Sequence, residues 1–193
     1  MRPAAPATPS NAALIIIDMQ KCMADPASGQ RNNPQAEANI GALLRAWREA
    51  GAVVVHVRHI SPAGGAFQPG QPGIEFQDAL APLAGAYIVN KSVPDAFIDS
   101  GLERWLRVRG IGQVVLVGVS TNNSVEASAR TADNLGFDVT VVDDACFAFA
   151  RRDYAGTARS AAEVHAMALS NLHGEHARIT DSATLLAGAG AAA

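Results

Sequence analysis

Cysteine is scarce in this chain. Two stand among 193 residues, Cys22 and Cys146, and they form no CxxC pair. Two cysteines cannot build a disulfide framework, so a reduced, cytoplasmic setting is the expectation. A basic surplus is also missing, with 15 Lys and Arg against 18 Asp and Glu and a net charge of -3. Arg45, Arg48, Arg104, Arg107 and Arg109 are scattered in the manner of solvated helix faces. That pattern excludes the clustered footprint of a nucleic-acid binder. Long apolar runs are absent as well. The longest, Ala12–Ile17, falls far short of the ~20 residues that span a bilayer. The stretch Met1–Asn11 is rich in Pro and Ala and has no signal-peptide apolar region.

What is present is apolar substance, at 49% of residues. That supports a sizeable core without metals or disulfides. The length fits one domain, 1–193, with residues 1–11 and 187–193 read as flexible ends. One pattern recurs along it: a helical stretch closes on glycine and a β-branched run follows. It appears as Ala36–Ala50, Gly51 and Ala52–Arg58, then as Leu102–Arg109, Gly110 and Gln113–Gly118. It returns as Val125–Leu135, Gly136 and Asp138–Asp143, and as Ala161–Leu172, His173–Gly174 and Ala177–Thr180. Glycine takes the left-handed position just past a helix, so this is the punctuation of αβ units. The consecutive apolar residues Leu14–Ile17 and Val114–Val117 read as strands buried on both faces. A short strand is predicted at Tyr87–Asn90, and the Gly- and Pro-rich stretch Ser61–Phe76 as a long irregular loop of the functional or mobile kind. The expected fold is α/β: three α-β-α layers around a doubly wound, mainly parallel, six-stranded sheet.

Ligands of such sheets bind beyond the carboxyl ends of the strands. Asp18 ends the first strand, and His56, Arg58 and His59 end the second. Asn90 and Lys91 end the short one, Gly118–Ser124 follows the next, and Asp143–Asp144 follows the fifth. A carboxylate closing an apolar strand is partly desolvated, which suits Asp18 to acid–base work or to a turn cap. Lys91 can pair with a carboxylate or simply face solvent. Ser124 falls in the first turn of the helix that follows, where backbone N–H groups concentrate positive potential. A cysteine there is driven toward thiolate, and a serine gains far less. Ser120, Thr121 or Ser124 could equally cap the helix. His56 and His59, three apart on a strand, point to opposite faces, which argues against a shared ion. His165, Trp47 and Trp105 are read as structural.

These residues together resemble the isochorismatase-like superfamily, which includes nicotinamidase, carbamoylsarcosine amidase, streptothricin hydrolase and isochorismatase. The likeness runs from about Ala12 to Leu186. It rests on Ala13–Gln20, on Lys91 with Ala96–Phe97, on Gly118–Glu126, and on Arg130 with Asn134–Asp138. Pro69–Gly73 is similar to a loop of its amidase branch. The resemblance implies an Asp–Lys–Cys triad: Asp18 the base, Lys91 the electrostatic partner, position 124 the nucleophile. It implies a cis peptide between Val119 and Ser120, and an oxyanion held by backbone N–H groups near Ser120 and Ser124. It also implies a dimer or tetramer. His56, Arg58, Phe67 and Asn123 are the expected substrate contacts.

Two departures stand out. Position 124 is Ser, either an alteration that silences the nucleophile or a natural serine form, and the intact neighbours favour the first. The Asp-x-His metal site of nicotinamidases reads His56-Val57-Arg58-His59-Ile60 here, so no metal and no cofactor are expected. The leading expectation is a hydrolase of small amide, ureido or lactam C–N bonds. A vinyl-ether hydrolase using Asp18 as general acid, and a silent small-molecule-binding protein, are the alternatives.

Overall fold

The computed structural model describes residues 12–61 and 64–190. The expected flexible stretch 1–11 lies outside that range. The first strand, β1 (Ala12–Ile17), is buried along its whole length. A short helix α1 (Lys21–Ala24) follows, then α2 (Ala36–Glu49) and β2 (Val54–His59). After the long loop come β3 (Tyr87–Lys91), α3 (Leu102–Val108) and β4 (Gln113–Val119). A π-helical turn, Thr121–Val125, leads into α4 (Glu126–Asn134). The chain continues through β5 (Asp138–Phe147), a two-stranded hairpin of β6 (Arg151–Arg152) and β7 (Ala158–Arg159), and α5 (Ala161–Leu172). It closes with β8 (Arg178–Thr180) and α6 (Ser182–Gly190).

Six strands form one parallel sheet in the order β3-β2-β1-β4-β5-β8. Parallel pairing needs covering layers on both faces, and alternation along each strand supplies them. Ile15, Ile17, Val55, Val57 and Leu116 pack with Leu102, Leu106, Ala129 and Leu172 from α3, α4 and α5. Leu14, Ile16, Val115 and Val117 pack with Ile40, Leu43, Leu44 and Trp47 of α2 and with Leu185 of α6. Trp47 also donates its indole N–H to the Ala12 carbonyl at 2.9 Å, tying α2 to the start of β1. The predicted three-layer, doubly wound α/β fold is the fold observed.

Three boundaries differ from the sequence reading. Asp143 and Asp144 do not follow the fifth strand. They lie within β5, whose register against β4 shifts between Leu116 and Gly118 and then resumes at Cys146 and Phe147. The buried run Ala145–Phe147 keeps the chain in the sheet beyond the polar pair. Residues 187–190 belong to α6, which Leu185 anchors to the α2 layer, and residues 191–193 lie outside the described range. The hairpin β6–β7 was not legible, its strands being two exposed residues each.

The sheet changes winding direction between β1 and β4. There, Gly118 adopts φ +122°, and a side-chain carbon on it would collide with the Ile17 carbonyl oxygen. Glycine is what lets the two strands approach at the point where an open α/β sheet makes its binding crevice.

Candidate active site

The carboxyl ends of β1, β3 and β4 bring three distant residues together. Asp18 follows β1 in the left-handed region (φ +53°), which aspartate tolerates better than most side chains. Lys91 ends β3, and Ser124 lies in the π turn after β4. The Lys91 ammonium donates to Asp18 Oδ2 at 2.7 Å and to Ser124 Oγ at 3.2 Å, and lies 3.3 Å from His59 Nδ1. An ammonium has three protons, and each has a partner here. With Lys91 donating, the ring proton of His59 is assigned to Nε2. The second Asp18 oxygen, Oδ1, is buried and unpartnered.

Burial dominates the electrostatics. Desolvation raises the Asp18 pKa above its ordinary 3.8, against the pull of Lys91. Desolvation, aided by the Lys91 charge, lowers that of His59. A small cavity of about 110 Å³ opens above the three residues, with Asp18, His59, Phe67, Ser120, Asn123 and Ser124 among its walls. The peptide between Val119 and Ser120 is cis, and Val119 lies in the wall as well.

Expected substrate contacts divide by strand face. Phe67 and Asn123 line the cavity. His56 does not: it is buried on the opposite face of β2, edge-on to Phe76, with both ring nitrogens unpartnered. Arg58 shares that face, donating to Asn90 Oδ1 at 2.9 Å, with its guanidinium 5.7 Å from the Phe76 ring. Both expectations are corrected by the two-residue period of a strand. Val57 packs toward α3, and His59 follows it in parity, opposite Lys91 in register. His59 is the cavity residue that the sequence reading passed over. Ser124 lies in the first helical turn after β4, and that turn is π-helical: the Val125 N–H bonds back to the Ser120 carbonyl at 3.3 Å.

Several side chains brace the site without entering it. Gln20 is fully buried, accepts the His59 N–H at 2.8 Å and donates to the His59 carbonyl at 2.9 Å, clamping the ends of β1 and β2 together. Ser128 donates to the Ser124 carbonyl at 2.7 Å and accepts from the Ala96 N–H at 3.0 Å. Thr121 Oγ1 lies 2.8 Å from His165 Nδ1, and His165 Nε2 lies 2.6 Å from Asp143 Oδ1. That chain anchors the π turn to α5 and β5.

The two thiols stand apart from this arrangement. Burial pushes the Cys22 thiol up to about 11, and Cys146, fully enclosed, is raised further. A larger cleft of about 830 Å³ lies between α5 and the β6–β7 hairpin. It contains none of Asp18, Lys91 and Ser124, and its Arg159 is already paired with Asp153 at 2.9 Å. Among the described residues, no group of three or more His, Cys, Asp or Glu is placed to hold a metal ion.

Residues 12–184 match the Isochorismatase domain model, and the chain belongs to the isochorismatase family of hydrolases. It is 37% identical over 175 residues to the isochorismatase-family protein YrdC of Bacillus subtilis, covering 90% of this chain and 94% of that one. Streptothricin hydrolase of Streptomyces noursei is 35% identical over 137 residues, covering 69% of this chain and 48% of that protein. A crystal structure of an isochorismatase-family hydrolase from Chromobacterium violaceum superposes with a TM-score of 0.92 at 46% identity. That match covers 97% of this chain and 99% of the other.

Proposed function

We propose that this protein is built to hydrolyse the C–N bond of a small amide, ureido or lactam compound. The observation that carries the reading is the Lys91 ammonium bridging Asp18 and Ser124 beneath one small cavity. Kinship with the ureidoacrylate amidohydrolase RutB of Variovorax paradoxus, 29% identical over 175 residues, supports the bond class. Asp18 takes the proton from the nucleophile at position 124, which attacks the substrate carbonyl. The backbone N–H groups of Ser120 and Ser124 hold the oxyanion. Asp18 then returns the proton to the departing nitrogen, and water, deprotonated by Asp18, releases the acid from the acyl-enzyme. The Lys91 charge favours the ionised form of Asp18, against the burial that raises its pKa.

Serine at position 124 makes this sequence slow. A hydroxyl proton is far harder for a carboxylate to remove than a thiol proton. The test is ammonia release by the Ser124→Cys variant over a panel of small amides. A gain of about a hundredfold or more over the Ser124 chain is expected. Silence in both forms, with ligand still bound, would leave a binding protein instead.

A second reading has one observation in its favour. Burial raises the Asp18 pKa, as a general acid requires, and vinyl-ether hydrolysis needs no thiol. It predicts turnover of isochorismate that depends on Asp18 and is indifferent to residue 124.

A further inference from the structure

We propose that the cavity selects a small, uncharged amide and rejects substrates that carry a carboxylate. This rests on the C–N hydrolase reading and narrows it to a substrate class.

Size is the first constraint. The cavity holds about 110 Å³. An apolar cavity of roughly 150 Å³ admits a benzene ring, and pockets for drug-sized ligands begin near ~300 Å³. A space tighter than either favours, next to Asp18 and Ser124, an acyl group smaller than an aromatic ring.

Charge is the second constraint. Met23, Phe67, Pro94 and Val119 give the cavity apolar walls, and Asn123 offers a neutral amide that both donates and accepts. Among the described residues, the ionisable groups in the lining are Asp18 and His59. Asp18, the ionised base of the C–N reading, is committed to Lys91. The Lys91 side chain is fully buried, and its three N–H groups are directed at Asp18, Ser124 and His59. No donor of that cation is left for a ligand. His59 carries its proton on Nε2 and is held neutral by burial and by the same ammonium. Arg58, the cation nearest in sequence, faces the other side of β2 and is bonded to Asn90.

A carboxylate in this cavity would find no free cationic side chain among the described lining residues and would lie against that of Asp18. An uncompensated charge taken out of water is strongly disfavoured. A neutral amide meets no such opposition. Its carbonyl finds donors and its alkyl group finds the apolar walls.

The experiment uses acetoacetamide and malonamate, which share a skeleton and differ in a methyl against a charged oxygen. Propionamide and benzamide supply the size comparison. In the Ser124→Cys variant, kcat/KM for acetoacetamide is expected to exceed that for malonamate by at least about tenfold, and propionamide to exceed benzamide. Malonamate turned over as well as acetoacetamide would overturn the proposal, as would benzamide matching propionamide. Binding is measured in parallel on the unaltered Ser124 chain by ligand-observed saturation-transfer NMR. Acetoacetamide binding above malonamate there, with no ammonia from any amide in the variant, would sink the hydrolase reading and leave the selectivity intact. Equal binding of the pair would sink the selectivity. Asn123→Lys places an ammonium in the lining and is expected to shift the malonamate-to-acetoacetamide ratio about tenfold toward the anion. An unchanged ratio would remove Asn123 from the lining and the charge argument with it.

Discussion

At the scale of single residues, two buried titratable groups make opposite demands on pH. Asp18 must be ionised to act as a base, and burial raises its pKa above 3.8. The acid limb of kcat/KM for the Ser124→Cys variant is therefore expected above the ordinary carboxylate range, with activity lost as pH falls through it. Asp18→Asn should remove activity by about a thousandfold or more. A limb of the opposite sense, with activity lost as pH rises, would identify Asp18 as a general acid. His56 concerns stability alone. Its folded pKa is pushed down to about 4 from 6.5 by desolvation, with Arg48 adding to the effect. The unfolded chain binds that proton first, so stability is full above pH 6.5 and declines as pH falls toward 4. Between pH 7 and pH 5 the loss from this residue is about 2 kcal/mol, at ~1.4 kcal/mol per pKa unit. Urea unfolding at the two pH values checks it. His59 shifts in the same direction, so the comparison with His56→Leu isolates the contribution, and the variant should be the less pH-sensitive protein.

At the scale of elements, the site depends on how one turn is held. The π turn Thr121–Val125 carries Ser124, and Thr121 binds it through His165 to Asp143. Thr121→Val keeps the shape and removes the hydroxyl. It should lower stability by about 1–3 kcal/mol, since it leaves His165 Nδ1 unpaired in a buried setting. If the chain also positions the nucleophile, kcat of the Ser124→Cys variant should drop about tenfold with KM little changed, and Thr121→Ser should restore it. A stability loss with kcat unmoved would make the contact structural only. The elements themselves were largely legible. Leu14–Ile17 and Val114–Val117 announce buried parallel strands because both faces of each must be apolar. Gly51, Gly110 and Gly136 mark helix ends because each takes a left-handed conformation. Asp18 was legible as a carboxylate closing an apolar run, whereas Lys91 was marked only by the family resemblance. What escaped was register and local winding. Choosing His59 over His56 required knowing which face of β2 shares a side with Lys91, a two-residue parity that strand-end position alone does not supply. The π turn and the register shift of β5 against β4 leave no hydrophobic period in the sequence to read. The hairpin ending at Arg159 has strands too short to leave a pattern. The helix after it did carry a signal, since Ser160 and Glu163 form a capping box at the start of α5.

At the scale of the whole molecule, the site places a buried ion pair at the carboxyl edge of the central strands. Asp18 and Lys91 lie 73 positions apart in sequence, and their side chains are 5% and 0% exposed. They lie at the ends of β1 and β3, with only β2 between those strands, beside the switch point where β1 meets β4. Two desolvated charges there must be compensated by each other, and a packed apolar pair of similar volume would lack that cost. Removing one partner is the worst case. Lys91→Met leaves Asp18 buried without its ammonium and is expected to lower stability by about 3–5 kcal/mol. Asp18→Leu combined with Lys91→Met removes both charges, and should recover that loss and equal or exceed the starting protein by up to ~4 kcal/mol. Urea unfolding of the two variants and the parent at pH 7 measures the three values. A double variant as unstable as Lys91→Met would mean that the pair holds the sheet together. Recovery in the double variant would mean that the fold carries these charges for the chemistry at position 124 and would be firmer without them.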